Sequence, residues 1–324
     1  MFKKLVLITL GMSLMLMGCG NAQVKDEALT HIRLPMGYIP NIQYAPFYVA
    51  VDKGYFADEG IEVEFDYSFE TDGVKLVGAG ELPFAVVSGE QVLLARAQDV
   101  PVVYAFAWYQ QFPISIITAA DLNVNTPRDL RGKTIGLPGL FGANYIGAQA
   151  LLFADEVNPN EVTFNAIGFN QVESFASGQS DVVVGYTANE PIVLRSQGFE
   201  LNELRVADYV QLIANGIVTS EQTIADNPEL VKSFARAFAK GIADTIANPD
   251  EAYQISLKFV ENLKDQNKDV QMQVLTTSIE FWQAERIGFS DAQAWENMNE
   301  LLVKMELIPE PVDLSQAFTN EFIP

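Results

Sequence analysis

Strand-like and helix-like segments alternate along most of this chain, and this alternation constrains its fold more than any other feature. The strand-like runs are residues 31–36, 61–65, 84–87, 102–108, 133–137, 162–167 and 181–185. Helical spacing of apolar residues follows most of these runs, for example at residues 44–54 and 144–153. Strands that alternate with helices form βαβ units with parallel strands in one sheet. The sequence therefore predicts an α/β fold.

Two β-rich segments interrupt the alternation and are predicted to carry the chain from one lobe to a second lobe and back. They lie near residues 114–118 and 212–219. We expect lobe 1 to contain residues 31–116 and 216–324, and lobe 2 to contain residues 117–215. About 300 residues are enough for two lobes of ordinary domain size. The segment from residue 227 onward is helical in pattern, and such a tail is expected to pack on lobe 1.

The first 18 residues have the pattern of a secretion signal. Lys3 and Lys4 precede an apolar run of about 13 residues, which is too short to span a membrane. The run ends in Leu16-Met17-Gly18-Cys19, which resembles the bacterial lipobox. That resemblance implies cleavage before Cys19 and diacylation of its sulfur, and residues 19–30 are then a polar tether. A plain secretory signal with a chance cysteine is the alternative.

Cysteine and histidine are each represented once, which excludes several classes of site. A single cysteine forms no disulfide framework and no cysteine-based metal site. His31 is the only histidine, and it lies at the first predicted strand, so a catalytic triad or a zinc site is disfavoured. We therefore predict no metal, no cofactor and no catalytic residue.

The formal charge of −22 limits the partners of this protein. So acidic a chain repels nucleic acid and anionic lipid headgroups. No second apolar run reaches the length that spans a membrane. We expect a monomer on the extracytoplasmic face of the cell membrane, attached to it only through its lipid.

Several sequence blocks occur in an order and spacing that resemble a known family. They are residues 37–41 (GYIPN), 45–50 (APFYVA), 53–56 (KGYF), 129–136 (DLRGKTIG) and 185–191 (GYTANEP). The blocks resemble the periplasmic binding proteins that deliver thiamine pyrimidine precursors, riboflavin or alkanesulfonates to ABC importers. The resemblance extends from about residue 34 to residue 302. It implies a type II periplasmic-binding-protein fold, in which two crossing strands join two lobes and a ligand lies in the cleft. It also implies permease and ATPase partners.

Loops at the carboxyl ends of parallel strands line the crevice of such a fold. In this chain the predicted crevice loops are residues 37–44, 69–72, 88–91 and 108–112, and residues 138–145 together with 186–190. The candidate ligand-binding residues on them are Tyr38, Asn41, Tyr44, Glu70, Ser88, Glu90, Trp108, Tyr109, Gly142, Asn144, Tyr186 and Glu190.

The side chains of these loops indicate the chemistry of the ligand. Tyr38, Trp108 and Tyr109 offer flat rings, although Tyr38 could be a rim residue and Trp108 could be hinge core. Amides at the helix start near Asn144 could bind an anion or a carbonyl oxygen. None of the loops contains arginine or lysine, which sulfonate, nitrate and phosphate ligands usually recruit. Carboxylates accept hydrogen bonds from N–H and O–H donors, so a neutral or cationic heterocycle is favoured.

Three classes of function remain open at this stage. Capture of riboflavin for import comes first, because the resemblance over residues 65–91 and 108–113 is closest to the riboflavin-binding members. A thiamine pyrimidine precursor of the formylaminopyrimidine or hydroxymethylpyrimidine type is the alternative. An enzyme like the yeast pyrimidine synthases is remote, because those depend on an active-site histidine and a cysteine-rich motif that this chain lacks. A structural or sensory lipoprotein is the third class.

Overall fold

A computed structural model describes residues 28–324. The predictions for the signal peptide, for lipidation of Cys19 and for the tether up to residue 27 lie outside the described residues. Within that part of the chain, no helix combines the length and the apolar character needed to cross a membrane.

Ten strands and thirteen α-helices make up the described part of the chain. The strands are β1 (Thr30–Gly37), β2 (Ile61–Phe69), β3 (Ala85–Ser88), β4 (Val102–Ala107), β5 (Ile114–Ala119), β6 (Thr134–Leu137), β7 (Thr163–Ala166), β8 (Val182–Tyr186), β9 (Leu201–Arg205) and β10 (Asn215–Ser220). The helices are α1 (Ala45–Asp52), α2 (Tyr55–Asp58), α3 (Glu70–Gly78), α4 (Gly89–Arg96), α5 (Gly142–Ala154), α6 (Gln171–Ala176), α7 (Glu190–Ser196), α8 (Glu221–Asp226), α9 (Pro228–Ala247), α10 (Pro249–Ser256), α11 (Lys268–Trp282), α12 (Ala292–Lys304) and α13 (Leu314–Ala317). The mixed sheets and helices confirm the predicted α/β class.

The strands form two groups, one of β1 to β4 with β10 and the other of β5 to β9. In the first group, β1 pairs in parallel with β2, while β10 lies between β3 and β4 and is antiparallel to both. The second group is a five-stranded sheet in the order β7-β6-β8-β5-β9. There β6 is parallel to β7 and β8, and β5 is antiparallel to β8 and β9.

Two connections join the groups, at residues 108–113 between β4 and β5 and at residues 206–214 between β9 and β10. All of β5 pairs within the five-stranded sheet, and all of β10 pairs with β3 and β4. The lobe boundaries at 116/117 and 215/216 stay a prediction.

Helix α9 illustrates how the C-terminal tail packs on the first group of strands. Asn227 caps it by accepting a hydrogen bond from the backbone N–H of Leu230 at 3.1 Å. The ring of Phe238 stacks on Phe47 of α1 with centroids 4.0 Å apart. Close approach of the two helices requires Gly241, because a Cβ there would lie 2.3 Å from the carbonyl oxygen of Pro46.

Candidate functional site

Strand ends from both groups face one cleft of about 820 Å³, a volume that includes space open to solvent. One wall follows the carboxyl ends of β1, β2 and β4, and the other follows those of β6, β7 and β8. Asn215 joins the first wall from the amino end of β10, which runs antiparallel to its neighbours. A cleft of this size and position is typical of a small-molecule site.

Nine of the twelve candidate residues line this cleft. They are Tyr38, Tyr44, Glu70, Trp108, Tyr109, Gly142, Asn144, Tyr186 and Glu190. The other three have local roles instead. Asn41 accepts a hydrogen bond from the N–H of Gln43 at 2.9 Å, while Ser88 and Glu90 are fully buried behind Glu70. Ligand contact by any of the twelve stays a prediction.

Stacked aromatic rings form the floor of the cleft. The ring of Trp108 stacks on Tyr44 at 5.5 Å and on Trp282 at 5.9 Å, and it meets Tyr109 edge-on at 4.8 Å. Trp108 is only 3 % exposed. It is therefore a core residue of the first group of strands and a lining residue of the cleft at once.

Aromatic rings from opposite walls also meet each other across the cleft. Tyr38 contacts Phe169 edge-on with centroids 4.8 Å apart. Phe69 meets Phe141 at 6.2 Å and stacks on Phe169 at 6.1 Å. Phe69 and Phe141 are 51 % and 43 % exposed, so these apolar rings lie at the mouth of the cleft. We name Tyr38, Phe69, Phe141 and Phe169 the aromatic rim.

Glu70 is the carboxyl at the start of α3, and Ser88 fixes its position. The backbone N–H of Ser88 donates to Glu70 Oε2 at 2.8 Å, and Ser88 Oγ lies 3.1 Å from Glu70 Oε1. Burial and the neighbouring Glu90 carboxyl raise the pKa of Glu70 to about 8. Across the cleft, a Cβ on Gly142 would lie 2.7 Å from Glu70 Oε1. Together with the positive φ of Gly142, +68°, this proximity favours a glycine where the two walls meet.

Glu190 begins α7 on the opposite wall and is 4 % exposed. Its Oε2 accepts the backbone N–H of Tyr186 at 2.7 Å, and burial raises its pKa to about 7. The hydroxyl of Tyr186 donates to Asn215 Oδ1 at 3.2 Å, which links β8 to β10 across the cleft.

Two buried polar atoms of cleft-lining residues have no hydrogen-bond partner among the described residues. Trp108 Nε1 is a donor, and Asn144 Oδ1 is an acceptor. Buried polar groups are costly when they are unsatisfied, so both atoms are suited to a ligand with a carbonyl and an N–H or O–H group.

Positive charge is missing from the described residues that line the cleft, since none of them is Lys, Arg or His. Across residues 28–324, the side chains of His, Cys, Asp and Glu nowhere gather in groups of three or more that could hold a metal ion. An uncharged, flat, hydrogen-bonding ligand suits this lining better than an anion does.

Sequence reasoning missed several lining residues, among them Gln43, Phe141, Phe169, Gln171 and Asn215. Gln43 and Phe141 lie inside predicted loops. Phe169 and Gln171 follow the carboxyl end of β7, so the same rule that selected the other loops could have found them. Asn215 begins an antiparallel strand, and no local pattern marks it.

Solved structures show the class of fold. The periplasmic aliphatic sulphonate binding protein SsuA from Escherichia coli matches with a TM-score of 0.73 at 12% identity, over 90% of this chain and 92% of that chain. The periplasmic nitrate-binding protein NrtA from Synechocystis PCC 6803 matches with a TM-score of 0.66 at 13% identity, over 91% and 87%. The chain thus has the periplasmic-binding-protein fold, as predicted.

Sequence relatives then define the family. The NMT1/THI5-like family model matches residues 41–252. The riboflavin-binding protein RibY of Chloroflexus aurantiacus is 45% identical over 94% of this chain and 88% of its own length. The formylaminopyrimidine-binding protein of Halalkalibacterium halodurans is 29% identical over 93% of both chains. A 4-amino-5-hydroxymethyl-2-methylpyrimidine phosphate synthase of Legionella pneumophila is 24% identical over 91% and 93%. The chain belongs to the NMT1/THI5-like family, which confirms the resemblance seen in the sequence.

Proposed function

We propose that this protein is the substrate-binding component of an ABC importer and that it captures riboflavin in the cleft. The observation that carries the proposal is an aromatic cleft in which the described lining residues include no cation and leave Trp108 Nε1 as a donor and Asn144 Oδ1 as an acceptor without a partner among residues 28–324. The isoalloxazine ring of riboflavin is flat and carries carbonyl and N–H groups. The 45% identity to a riboflavin-binding protein supports the same ligand.

A thiamine pyrimidine precursor is the alternative ligand, and the 29% identity to a formylaminopyrimidine-binding protein favours it. Pyrimidine rings are smaller and fill less of the cleft. Native mass spectrometry of the freshly purified protein separates the two, because a co-purified ligand is identified by its mass. We expect the mass of riboflavin. The mass of a pyrimidine instead would show that a thiamine pyrimidine precursor is the ligand.

We further propose that the protein binds its ligand without chemical turnover. Its only histidine, His31, lies on β1 beside Glu62 and Glu64 and does not line the cleft. The two relatives above that share at least 29% identity have names that describe binding, although the relative from Legionella pneumophila at 24% is named a synthase. Riboflavin or a pyrimidine incubated with the protein should be recovered unchanged by chromatography, and a new product would overturn the proposal.

Attachment to the extracytoplasmic face of the membrane through Cys19 is proposed from the sequence motif Leu16-Met17-Gly18-Cys19. Expression with a labelled fatty acid should label the full chain and leave Cys19→Ser unlabelled. Equal labelling of both proteins would contradict the anchor. We also propose that the protein acts as a monomer beside its permease and ATPase.

Flavin mononucleotide should bind about tenfold or more weakly than riboflavin, because its phosphate would enter a cleft whose described lining residues include carboxyls and no cation. Calorimetric titration of both ligands at pH 7 measures the difference. Equal or tighter binding of the phosphorylated ligand would contradict the electrostatic argument.

Gly142→Ala should lower riboflavin affinity by about tenfold, because its new Cβ displaces the Glu70 carboxyl, 2.7 Å away. Gly178→Ala is the matched control. Gly142 and Gly178 have φ angles of +68° and +72°, so both variants carry similar backbone strain of about 1 kcal/mol, but no atom of the described residues lies within 4 Å of a Cβ at Gly178. We expect Gly178→Ala to keep riboflavin affinity within about twofold. Equal losses in the two variants would assign the effect to backbone strain alone.

A further inference from the structure

Two carboxyls share one hydroxyl group behind the cleft wall. Ser88 Oγ lies 3.0 Å from Glu70 Oε2 and is also within hydrogen-bond distance of Glu90 Oε1. Glu70 lines the cleft, whereas Glu90 is fully buried in the first turn of α4 and does not. The Ser88 hydroxyl has a single hydrogen and can donate it to only one of the two carboxyls. At the other contact two oxygen lone pairs would face each other unless that carboxyl carries a proton.

The described residues around this pair offer no compensating charge. The titratable groups that face it are the phenols Tyr104 of β4 and Tyr186 of β8, and their hydroxyls donate to Ala214 O and Asn215 Oδ1. Burial holds the pKa of both phenols well above its usual range, so they stay neutral.

Within residues 28–324, no Lys, Arg or His forms an ion pair with Glu70 or Glu90. Glu90 Oε1 accepts a hydrogen bond from the side-chain amide of Gln91 at 3.3 Å, and Glu90 Oε2 has no partner among the described residues. Two ionised carboxylates this close in a buried place would be strongly unfavourable.

We propose that Glu90 is a positioning residue that acts on the cleft through Ser88, and that Glu70 and Glu90 hold one proton between them. The protonated carboxyl donates to Ser88 Oγ, and the Ser88 hydroxyl donates to the other carboxylate, so the chain of hydrogen bonds is complete. Glu70 is thereby held against the cleft wall while the pair carries one negative charge. Burial raises the pKa of both groups, and mutual repulsion adds to the rise for Glu70.

Ligand binding should then be coupled to this proton. A ligand that fills the cleft displaces water from Glu70, which disfavours full ionisation and raises the pKa of the pair further. The pKa of the pair is then higher in the complex than in the free protein. Ligand affinity is therefore greatest at pH values below the pKa of the free protein, and it falls as pH rises through and above that pKa. The pKa of Glu70 in the free protein is about 8, so ligand binding should be accompanied by proton uptake between about pH 7.5 and 9.5.

Infrared titration of the protein without ligand tests the shared proton independently of the proposed function. A protonated carboxyl shows a C=O stretch that a carboxylate lacks. Wild type should keep such a band at pH 7 and lose one part of it as pH rises through about 8, separate from the part that Glu190 loses near pH 7. In Glu90→Gln, loss of the repulsion from Glu90 should lower the pKa of Glu70, so the part of the band that wild type loses near pH 8 should be lost at lower pH, while the part from Glu190 stays unchanged. An exposed control, Glu64→Gln, should show the same titration of the band as wild type. Identical bands in wild type and Glu90→Gln would overturn the proposal.

Calorimetry with riboflavin, which rests on the proposed function, tests the coupling. Wild type should take up protons at pH 8, seen as a dependence of the binding heat on buffer ionisation, and should lose about tenfold in affinity between pH 7.5 and 9.5. Glu90→Gln should lose clearly less affinity than wild type over that range, although burial of Glu70 and of Glu190 leaves some pH dependence, while Glu64→Gln follows wild type. Tight wild-type binding without proton uptake would overturn the coupling. Failure of riboflavin to bind at any pH would contradict the proposed function. The infrared titration would still show whether Glu70 and Glu90 share a proton. If Glu90→Gln does not fold, the infrared and calorimetric titrations of the wild-type protein test the proposal on their own.

Discussion

Trp108→Ala lowers the free energy of unfolding by about 3–5 kcal/mol, the loss typical of a buried tryptophan replaced by alanine. Trp108 is 3 % exposed and contacts the rings of Tyr44, Phe47 and Trp282, so its removal leaves a cavity among side chains that cannot close around it. Urea unfolding followed by circular dichroism measures the change.

The matched control for this change is Tyr209→Ala, which removes an aromatic ring that is 41 % exposed. It should alter the free energy of unfolding by no more than about 0.5 kcal/mol. A loss below about 1 kcal/mol in Trp108→Ala would show that this residue is not part of the core that supports the cleft floor.

Tyr38→Ala should reduce riboflavin affinity by about 30- to 100-fold, which corresponds to about 2–3 kcal/mol. The ring of Tyr38 lines the cleft and contacts Phe169 on the opposite wall at 4.8 Å. Its removal therefore takes away both a surface for the ligand ring and a contact that holds the closed walls together. Equilibrium dialysis against riboflavin measures the loss.

A double-mutant cycle with Phe169→Ala separates these two contributions. If the contact between the walls matters, the double variant loses less affinity than the sum of the two single losses. Purely additive losses would assign Tyr38 to ligand contact alone. Unchanged affinity in Tyr38→Ala would show that Tyr38 is a rim residue that does not contribute to ligand binding.

Sequence periodicity was sufficient for the fold class but not for every element. The strand β9 was not predicted, because Leu201–Arg205 is a short edge strand in which only Leu204 is buried, and its apolar pattern is too weak to stand out. The strand β2 extends to Phe69 rather than ending at residue 65. The residues after Phe65 are partly buried or, at Phe69, exposed, so no alternating apolar pattern marks the extension. The conformation of short edge strands and strand ends with mixed burial depends on the neighbouring strands of the sheet.

The cleft itself followed from one topological rule, that the carboxyl ends of parallel strands share an edge. That rule identifies loops but not the direction of each side chain. Ser88 and Glu90 lie in a predicted loop yet are buried behind the wall, where Ser88 contacts both Glu70 and Glu90. The contact of Tyr38 with Phe169 joins residues far apart in the chain, and no local pattern encodes it.

Quenching of riboflavin fluorescence by the purified protein tests the central claim most directly. Stacking of the isoalloxazine ring on the aromatic floor should quench its fluorescence, with saturation at one ligand per chain and a dissociation constant below about 1 µM. Tyr38→Ala should shift the titration to higher concentration, and Tyr209→Ala should not. Unchanged riboflavin fluorescence at micromolar protein, together with tight calorimetric binding of formylaminopyrimidine, would contradict the account.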